Sequence, residues 1–178
     1  MALTRLGLNQ SVNLASNVTG TLPTANGGTG ATSFAPGKVL QVQSTQLQAE
    51  FATSSTSFTD VTSMAVTITP SATDSKILLL CNTNTYQNTD TAYWAMRWER
   101  AISGGATTAF GNSTYGQSFA RSAQAHDFWG GVGMTYLDSP STTSEITYQV
   151  QAKASSGTIN ISVNSTNQNN IIALEIAG

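Results

Sequence analysis

His126 stands directly before Asp127 in a chain rich in serine, a pairing from which a carboxylate-oriented imidazole that activates a hydroxyl could be built. Adjacent residues on a chain seldom face one another, and no Gly-x-Ser-x-Gly elbow holds a serine out on a strained turn. The single histidine therefore reads as a surface or loop residue. Cleavage of a glycosidic bond needs two carboxyl groups about 5 to 9.5 Å apart in a groove. Asp90, Glu99, Asp127, Asp138, Glu145 and Glu175 are dispersed with no spacing that marks a pair, and Glu175, in a terminal strand, is expected to face solvent or an arginine. There is no His-x-His, Cys-x-x-Cys or calcium-loop pattern, so no metal, no other cofactor and no catalytic residue is assigned.

Two further groups invite chemistry. Cys81 ends the apolar run "KILLLC"; as the single cysteine it has no disulfide partner in the chain, and it reads as a small buried hydrophobe. The glycine-rich stretch "LPTANGGTGATSFAPGK" from Leu22 to Lys38 could be a phosphate cradle only if Gly-Lys-Ser/Thr opened a helix. Lys38 is instead followed by the strand-like Val39-Leu40-Gln41-Val42, and that reading fails.

Binding is better supported than catalysis. The connection from Ser103 to Gly131 carries Phe110, Tyr115, Phe119, Arg121, His126, Asp127, Phe128 and Trp129 among small and amide residues. Aromatic faces beside planar amides suit the C–H and hydroxyl surfaces of sugars, and low charge suits a neutral polysaccharide. The candidate receptor-binding residues are Phe110, Tyr115, Arg121, His126, Asp127 and Trp129, with Tyr86 in "TNTYQNTDT" as a second locus. The alternative is that these aromatics fill a sandwich core or a subunit contact; Trp94 and Trp98 are assigned to one of those roles.

Composition limits the partners. Charged residues are 9% of 178, with seven Lys+Arg against nine Asp+Glu, so the chain has no basic field to hold a phosphate backbone, and nucleic acid is not an expected ligand. The opening "MALTRLGLNQ" has no signal-peptide core and no run is long enough to span a bilayer, from which synthesis in a cytoplasm without membrane insertion is expected.

The elements that must position these residues fall into two segments. Between Arg5 and Lys38 no side chain ionises, and residues 1–37 form a distinct N-terminal segment. Its Leu3, Leu6, Leu8, Val12, Leu14, Val18 and Leu22 keep neither alternation nor a heptad. Such scattered apolar residues gain order if copies wind about a symmetry axis, which makes the segment an anchor or shaft; a disordered tail is the alternative. From residue 38 to 178 the dominant period is two. "EITYQVQAKA" sets Ile146, Tyr148, Val150, Ala152 and Ala154 on one face, and "TINISVN" repeats the pattern, with Ser155-Ser156-Gly157 expected to join the two as an antiparallel hairpin. "MAVTI", "KILLLC", "TAYWAMRWERA", "GVGMTYL" and "NNIIALEIAG" read as further strands, the last with Ile172, Leu174 and Ile176 as its apolar face. The fold class is all-β, an antiparallel jelly-roll-like β-sandwich preceded by an extended segment.

"TGTLPTANGGTGATSFAPGKVLQV", followed by a β-domain with "MTYLDSPSTTSEITYQVQAKASSGTINISVN" and a closing "IIALEIAG", resembles bacteriophage fibre proteins. In those, a GTLP-x-x-NGGTG element recurs in slender shafts, and a small, often trimeric, jelly-roll-like head ends on a strand finishing Glu-Ile-Ala. The resemblance implies a homotrimeric virion protein that attaches to other virion proteins through its N-terminal segment and presents a head to host surface polysaccharide. It implies a shaft-to-head joint in which Gly27, Gly28 and Gly30 permit positive φ and close backbone approach while Pro23 sets an extended entry. A single copy of the element fits a short spike, head fibre or fibre tip better than a long fibre. A capsid decoration protein and a glycan-degrading tailspike are the rival readings.

Overall fold

The computed structural model describes residues 38–178 apart from 48, 88–91, 122–127 and 163–168, and of Ser63 the backbone alone. The expected anchor residues Leu3, Leu6, Leu8, Val12, Leu14, Val18 and Leu22 and the joint at Pro23, Gly27, Gly28 and Gly30 lie outside the described residues. The strands are β1 (Val39–Leu47), β2 (Phe51–Thr53), β3 (Thr59–Ile68), β4 (Lys76–Gln87), β5 (Tyr93–Ile102), β6 (Thr107–Ala109), β7 (Ser118–Arg121), β8 (Phe128–Asp138), β9 (Ile146–Ala154), β10 (Ile159–Ile161) and β11 (Asn169–Ile176). They form two antiparallel sheets, as the period-two pattern requires.

The six-stranded sheet runs β1-β11-β4-β10-β2, with β8 on the other edge of β4. The five-stranded sheet runs β3-β9-β5-β6, with β7 also paired to β5. Their inner faces enclose one core. Ile77, Leu79 and Cys81 of β4, Ile171 and Ala173 of β11, and Val132 and Met134 of β8 belong to the same buried cluster as Trp94, Met96 and Trp98 of β5 and Tyr148 and Val150 of β9. Each fully buried aliphatic side chain contributes about 1.5 to 3 kcal/mol against the entropy of ordering the strands. Burial pushes the Cys81 thiol up to about 12, which keeps it protonated, in keeping with its role as a small hydrophobe.

Three expectations need correction. Ser155-Ser156-Gly157 does not close a hairpin: β9 pairs with β3 and β5, whereas β10 pairs with β2 and β4 in the other sheet. Gly157, at φ 67°, takes part in a crossing from one sheet to the other. Alternation cannot separate these outcomes, because strands from opposite sheets point apolar side chains into the same core.

The second correction concerns β11, which buries Ile171, Ala173 and Glu175 and turns Ile172, Leu174 and Ile176 outward. Pairing with β4 sets this phase, since Ile171 lies opposite Cys81 and Ala173 opposite Leu79, both inward residues. The third follows directly: Glu175 meets neither solvent nor an arginine but is fully buried. Its Oε1 accepts hydrogen bonds from the Ser71 backbone N–H, Ser71 Oγ and Ser75 Oγ, each at 2.7 Å, and its Oε2 accepts one from Gln41 Nε2 at 2.6 Å. Burial pushes this carboxyl up, but the hydrogen bonds from Ser71, Ser75 and Gln41 together outweigh it and hold its pKa at about 2, below the ordinary 4.5.

A carboxyl whose pKa is lower folded than unfolded contributes stability that is complete above about pH 4.5 and is lost as pH falls toward 2. Glu175→Gln is expected to cost about 2 to 3 kcal/mol at pH 7, the usual worth of hydrogen bonds to a buried charged group. Urea unfolding at several pH values checks both points: the gap between wild type and variant should narrow steadily below pH 4.5, and a gap independent of pH would contradict the assignment.

Candidate functional site

The segment between β6 and β7 is fixed onto β5 by its backbone. The Phe110 N–H donates to Trp98 O at 2.9 Å, the Gln117 N–H donates to Met96 O at 2.8 Å, and Gln117 Oε1 accepts from the Trp98 N–H at 3.0 Å. Between these anchor points Asn112 and Gly116 form a two-way bridge at 3.0 and 2.8 Å, and Asn112 Oδ1 accepts from the N–H groups of Thr114 and Tyr115. Gly116, at φ +62°, is obligatory here: a Cβ would sit 2.2 Å from Met96 O. The turn therefore projects Tyr115 from a rigid frame.

Register completes the site. In the β5–β7 pair Tyr93 lies opposite Arg121 and Ala95 opposite Phe119, so Tyr93, Phe119 and Arg121 share the outer face of the five-stranded sheet. The Tyr93 N–H donates to Ser155 Oγ and the Ser155 N–H to Tyr93 O, each at 2.8 Å, which fixes the turn after β9 against β5. Tyr93, Tyr115, Phe119, Arg121 and Ser155 line a cleft of about 480 Å³. Its rings contact one another in series at tilted angles, with centroids 5.4 Å apart and planes at 54° for Tyr93 and Tyr115, and 5.0 Å and 39° for Tyr115 and Phe119. Phe119 is 56% exposed and Tyr115 46%, so both present open faces.

The predicted receptor-binding residues do not form one group. Tyr115 and Arg121 line the cleft. Tyr86 and Trp129 lie opposite each other in the β4–β8 pair, on the outer face of the other sheet, with ring centroids 4.4 Å apart. His126 and Asp127 lie outside the described residues. Phe110 is corrected from receptor residue to core residue: it is 9% exposed, belongs to the core cluster and stacks on Tyr136 at 4.5 Å. It lies in the same loop as Tyr115, but the hydrogen bond to Trp98 O turns it under β5 rather than over it. Tyr93 and Ser155 were missed as site residues, because one reads as a strand residue and the other as a turn residue until register joins them to Arg121.

A second surface feature lies on the six-stranded sheet. Among the described residues the exposed large apolar side chains outside the cleft, Val39, Leu40, Val42, Leu137 and Trp129, all belong to β1 and β8. Cross-strand pairs connect Val42 with Leu137, since Val42 faces Leu174, Leu174 faces Leu78 and Leu78 faces Leu137, and Ile172 faces Leu80 beside them; Trp129 pairs with Tyr86 at the other end of β8. Gly131 and Gly133 leave the middle of β8 flat, since a Cβ at either would meet nothing within 4 Å.

These placements separate core from site. Phe110→Ala should destabilise the sandwich by about 3 to 5 kcal/mol, whereas Phe119→Ala, which removes an exposed ring, should cost less than about 1 kcal/mol. Equilibrium denaturation of the two variants checks this; equal losses would contradict the division.

No protein-family model matches the chain, and no curated protein matches it in sequence. Among solved structures it is similar to the Eiger TNF of S. frugiperda, with 10% identity, a TM-score of 0.47, and coverage of 79% of this chain and 94% of that one. It is also similar to chains of infectious bursal disease virus. For the Gx strain the identity is 10% and the TM-score 0.37, over 78% of this chain and 37% of that one. For the VP2 subviral particle they are 9% and 0.31, over 76% and 39%. The chain thus spans under half the length of these viral chains, and its sandwich architecture rests on its own strand pairing.

Proposed function

We propose that the chain is a structural virion protein of a bacteriophage: a homotrimeric fibre or spike whose N-terminal segment attaches to other virion proteins and whose β-sandwich head contacts the host surface. The observation that carries the assembly is the outer face of the six-stranded sheet. Leu78, Leu80, Ile172, Leu174, Ile176, Val42 and Leu137 make one end of it apolar, with Lys76 at the margin, while Ser44, Asn82, Asn84, Thr135 and Asn170 occupy the rest. The whole outer face, four strands about 4.8 Å apart and up to about 36 Å long, spans roughly 700 Å², against the ~800 Å² each partner contributes to a standard interface, and the apolar end makes up about half of it. An antiparallel sheet of a solitary molecule ordinarily turns a polar face to water. Copies of the same chain match this neutral surface, and closed symmetry lets them cover it without leaving an open end. The resemblance of "GTLPTANGGTG" and "EIAG" to phage fibre sequences supports three as the number and a virion as the setting.

Assembly through that face turns the five-stranded sheet, with its aromatic cleft, outward. The role is adhesive rather than catalytic. Two of the carboxylates available for glycan cleavage are committed to structure: Glu175 is held by Ser71, Ser75 and Gln41, and Asp138 by Arg100 and Tyr148.

Light scattering on the purified full chain should give the mass of three copies at micromolar concentration. Leu78→Lys with Leu174→Lys, which sets two charges in the apolar face, should yield folded monomers. A monodisperse wild-type monomer would overturn the trimer, and labelled antibody that fails to mark intact particles would overturn the virion assignment.

A further inference from the structure

We propose that the cleft over β5 and β7 selects an acidic sugar, with the Arg121 guanidinium pairing to a ring carboxylate and the rings of Tyr93, Tyr115 and Phe119 covering the pyranose. The biological setting rests on the attachment role above; the chemistry rests on the cleft itself. Its volume of about 480 Å³ falls within the roughly 300 to 1,000 Å³ typical of small-molecule sites. Aromatic faces offset along one wall suit the C–H face of a saccharide. Ser155 Oγ already accepts from the Tyr93 N–H, so its own O–H is left to donate to a sugar hydroxyl.

Charge decides between a neutral and an acidic ligand. The chain as a whole carries a formal charge of −2, and the described cations of this face are Arg121, Arg97 and Lys153. Among the described residues the one ion pair is Arg100–Asp138, so Arg121, Arg97 and Lys153 have no carboxylate partner there. Lys153, only 8% exposed, donates to Ser113 O at 3.2 Å and lies 4.7 Å from the centroid of the Phe58 ring. Arg97 lies 4.1 Å from the centroid of the same ring, its Nε donating to Gln151 Oε1 at 2.8 Å. Lys153 pairs with Ala95, two residues along β5 from Tyr93 and so about 7 Å away, and Arg97 is about 13 Å away. Among the described residues the acids of this face are farther. Glu99 lies about 20 Å along β5, and Asp60 accepts from Gln151 Nε2 on the far side of Arg97. The buried Lys153 beside the cleft and the Arg121 guanidinium at its wall, without a carboxylate partner among the described residues, favour an anion, and the planar fork of Arg121 suits a carboxylate in particular.

Saturation-transfer NMR titrations of the full-length protein with methyl glucuronide and methyl glucoside test this. The glucuronide is expected to bind about tenfold more tightly, with the preference shrinking as salt is raised. Arg121→Gln should bring the two sugars to equal, weak affinity, Arg121→Lys should keep part of the preference, and Tyr115→Ala should weaken both sugars alike. Unfolding midpoints of each variant verify that the sandwich is intact. Equal binding of the two sugars by wild type, or a preference that survives Arg121→Gln, overturns the acidic-sugar assignment and leaves the attachment role standing. Binding of neither sugar overturns the cleft as a saccharide site, and adsorption of the full protein to host cells then reports on attachment separately.

Discussion

A sheet that is apolar on both faces cannot be satisfied by one sandwich. In β4 the run "KILLLC" sends Ile77, Leu79 and Cys81 into the core and Leu78 and Leu80 outward, and β11 does the same with Ile171 and Ala173 against Ile172, Leu174 and Ile176. The five-stranded sheet covers the inner set. The outer set is only partly covered by its neighbours in the sheet and keeps the remaining cost of hydration until another surface covers it. Most of what is distinctive in this molecule follows from that imbalance: the flat glycines of β8, the scarcity of charge on β1, β11 and β8, and the concentration of polar and cationic groups on the opposite sheet.

Among the described residues, the buried carboxylates Asp138 and Glu175 each have assigned partners. Arg100 Nη1 reaches both oxygens of Asp138 at 2.9 Å, and the Tyr148 hydroxyl donates to Asp138 Oδ2 at 2.6 Å, which ties β5 and β9 of one sheet to β8 of the other. Burial, and then the hydrogen bond to Asp138, push the Tyr148 phenol above its ordinary pKa, so it remains a donor. Glu175 performs a comparable task within the six-stranded sheet, joining β11 to β1 and to the turn before β4. A buried charge left without such partners would cost several kcal/mol, which explains why these carboxylates are fully engaged. That engagement also withdraws them from acid–base chemistry.

The cleft and the apolar face belong to opposite surfaces of one sandwich, so neither obstructs the other. Covering the six-stranded sheet leaves β5 and β7 free, and the frame that holds the cleft is independent of that cover. Its backbone hydrogen bonds to Trp98 and Met96 are internal to the five-stranded sheet. A site whose residues are held this way loses little freedom when it binds.

Much of the fold was legible in the sequence because alternation is a local property. The strands at "MAVTI", "KILLLC", "TAYWAMRWERA" and "GVGMTYL" and the burial of Cys81 follow from residue type and a period of two. What alternation leaves open is which of two apolar phases turns inward and which sheet a strand joins. Ile171 rather than Ile172 is buried, and β10 leaves β9 for β4, because pairing between residues far apart in the chain sets the phase and the partner. The site was divided for the same reason. Tyr115 and Arg121 were recognisable as exposed aromatic and cation in a loop. Only the register of β5 against β7 brings Tyr93 and Phe119 beside them, and only one backbone hydrogen bond to Trp98 takes Phe110 into the core. Residue types set what each strand can bury; long-range hydrogen bonding decides which side chains meet.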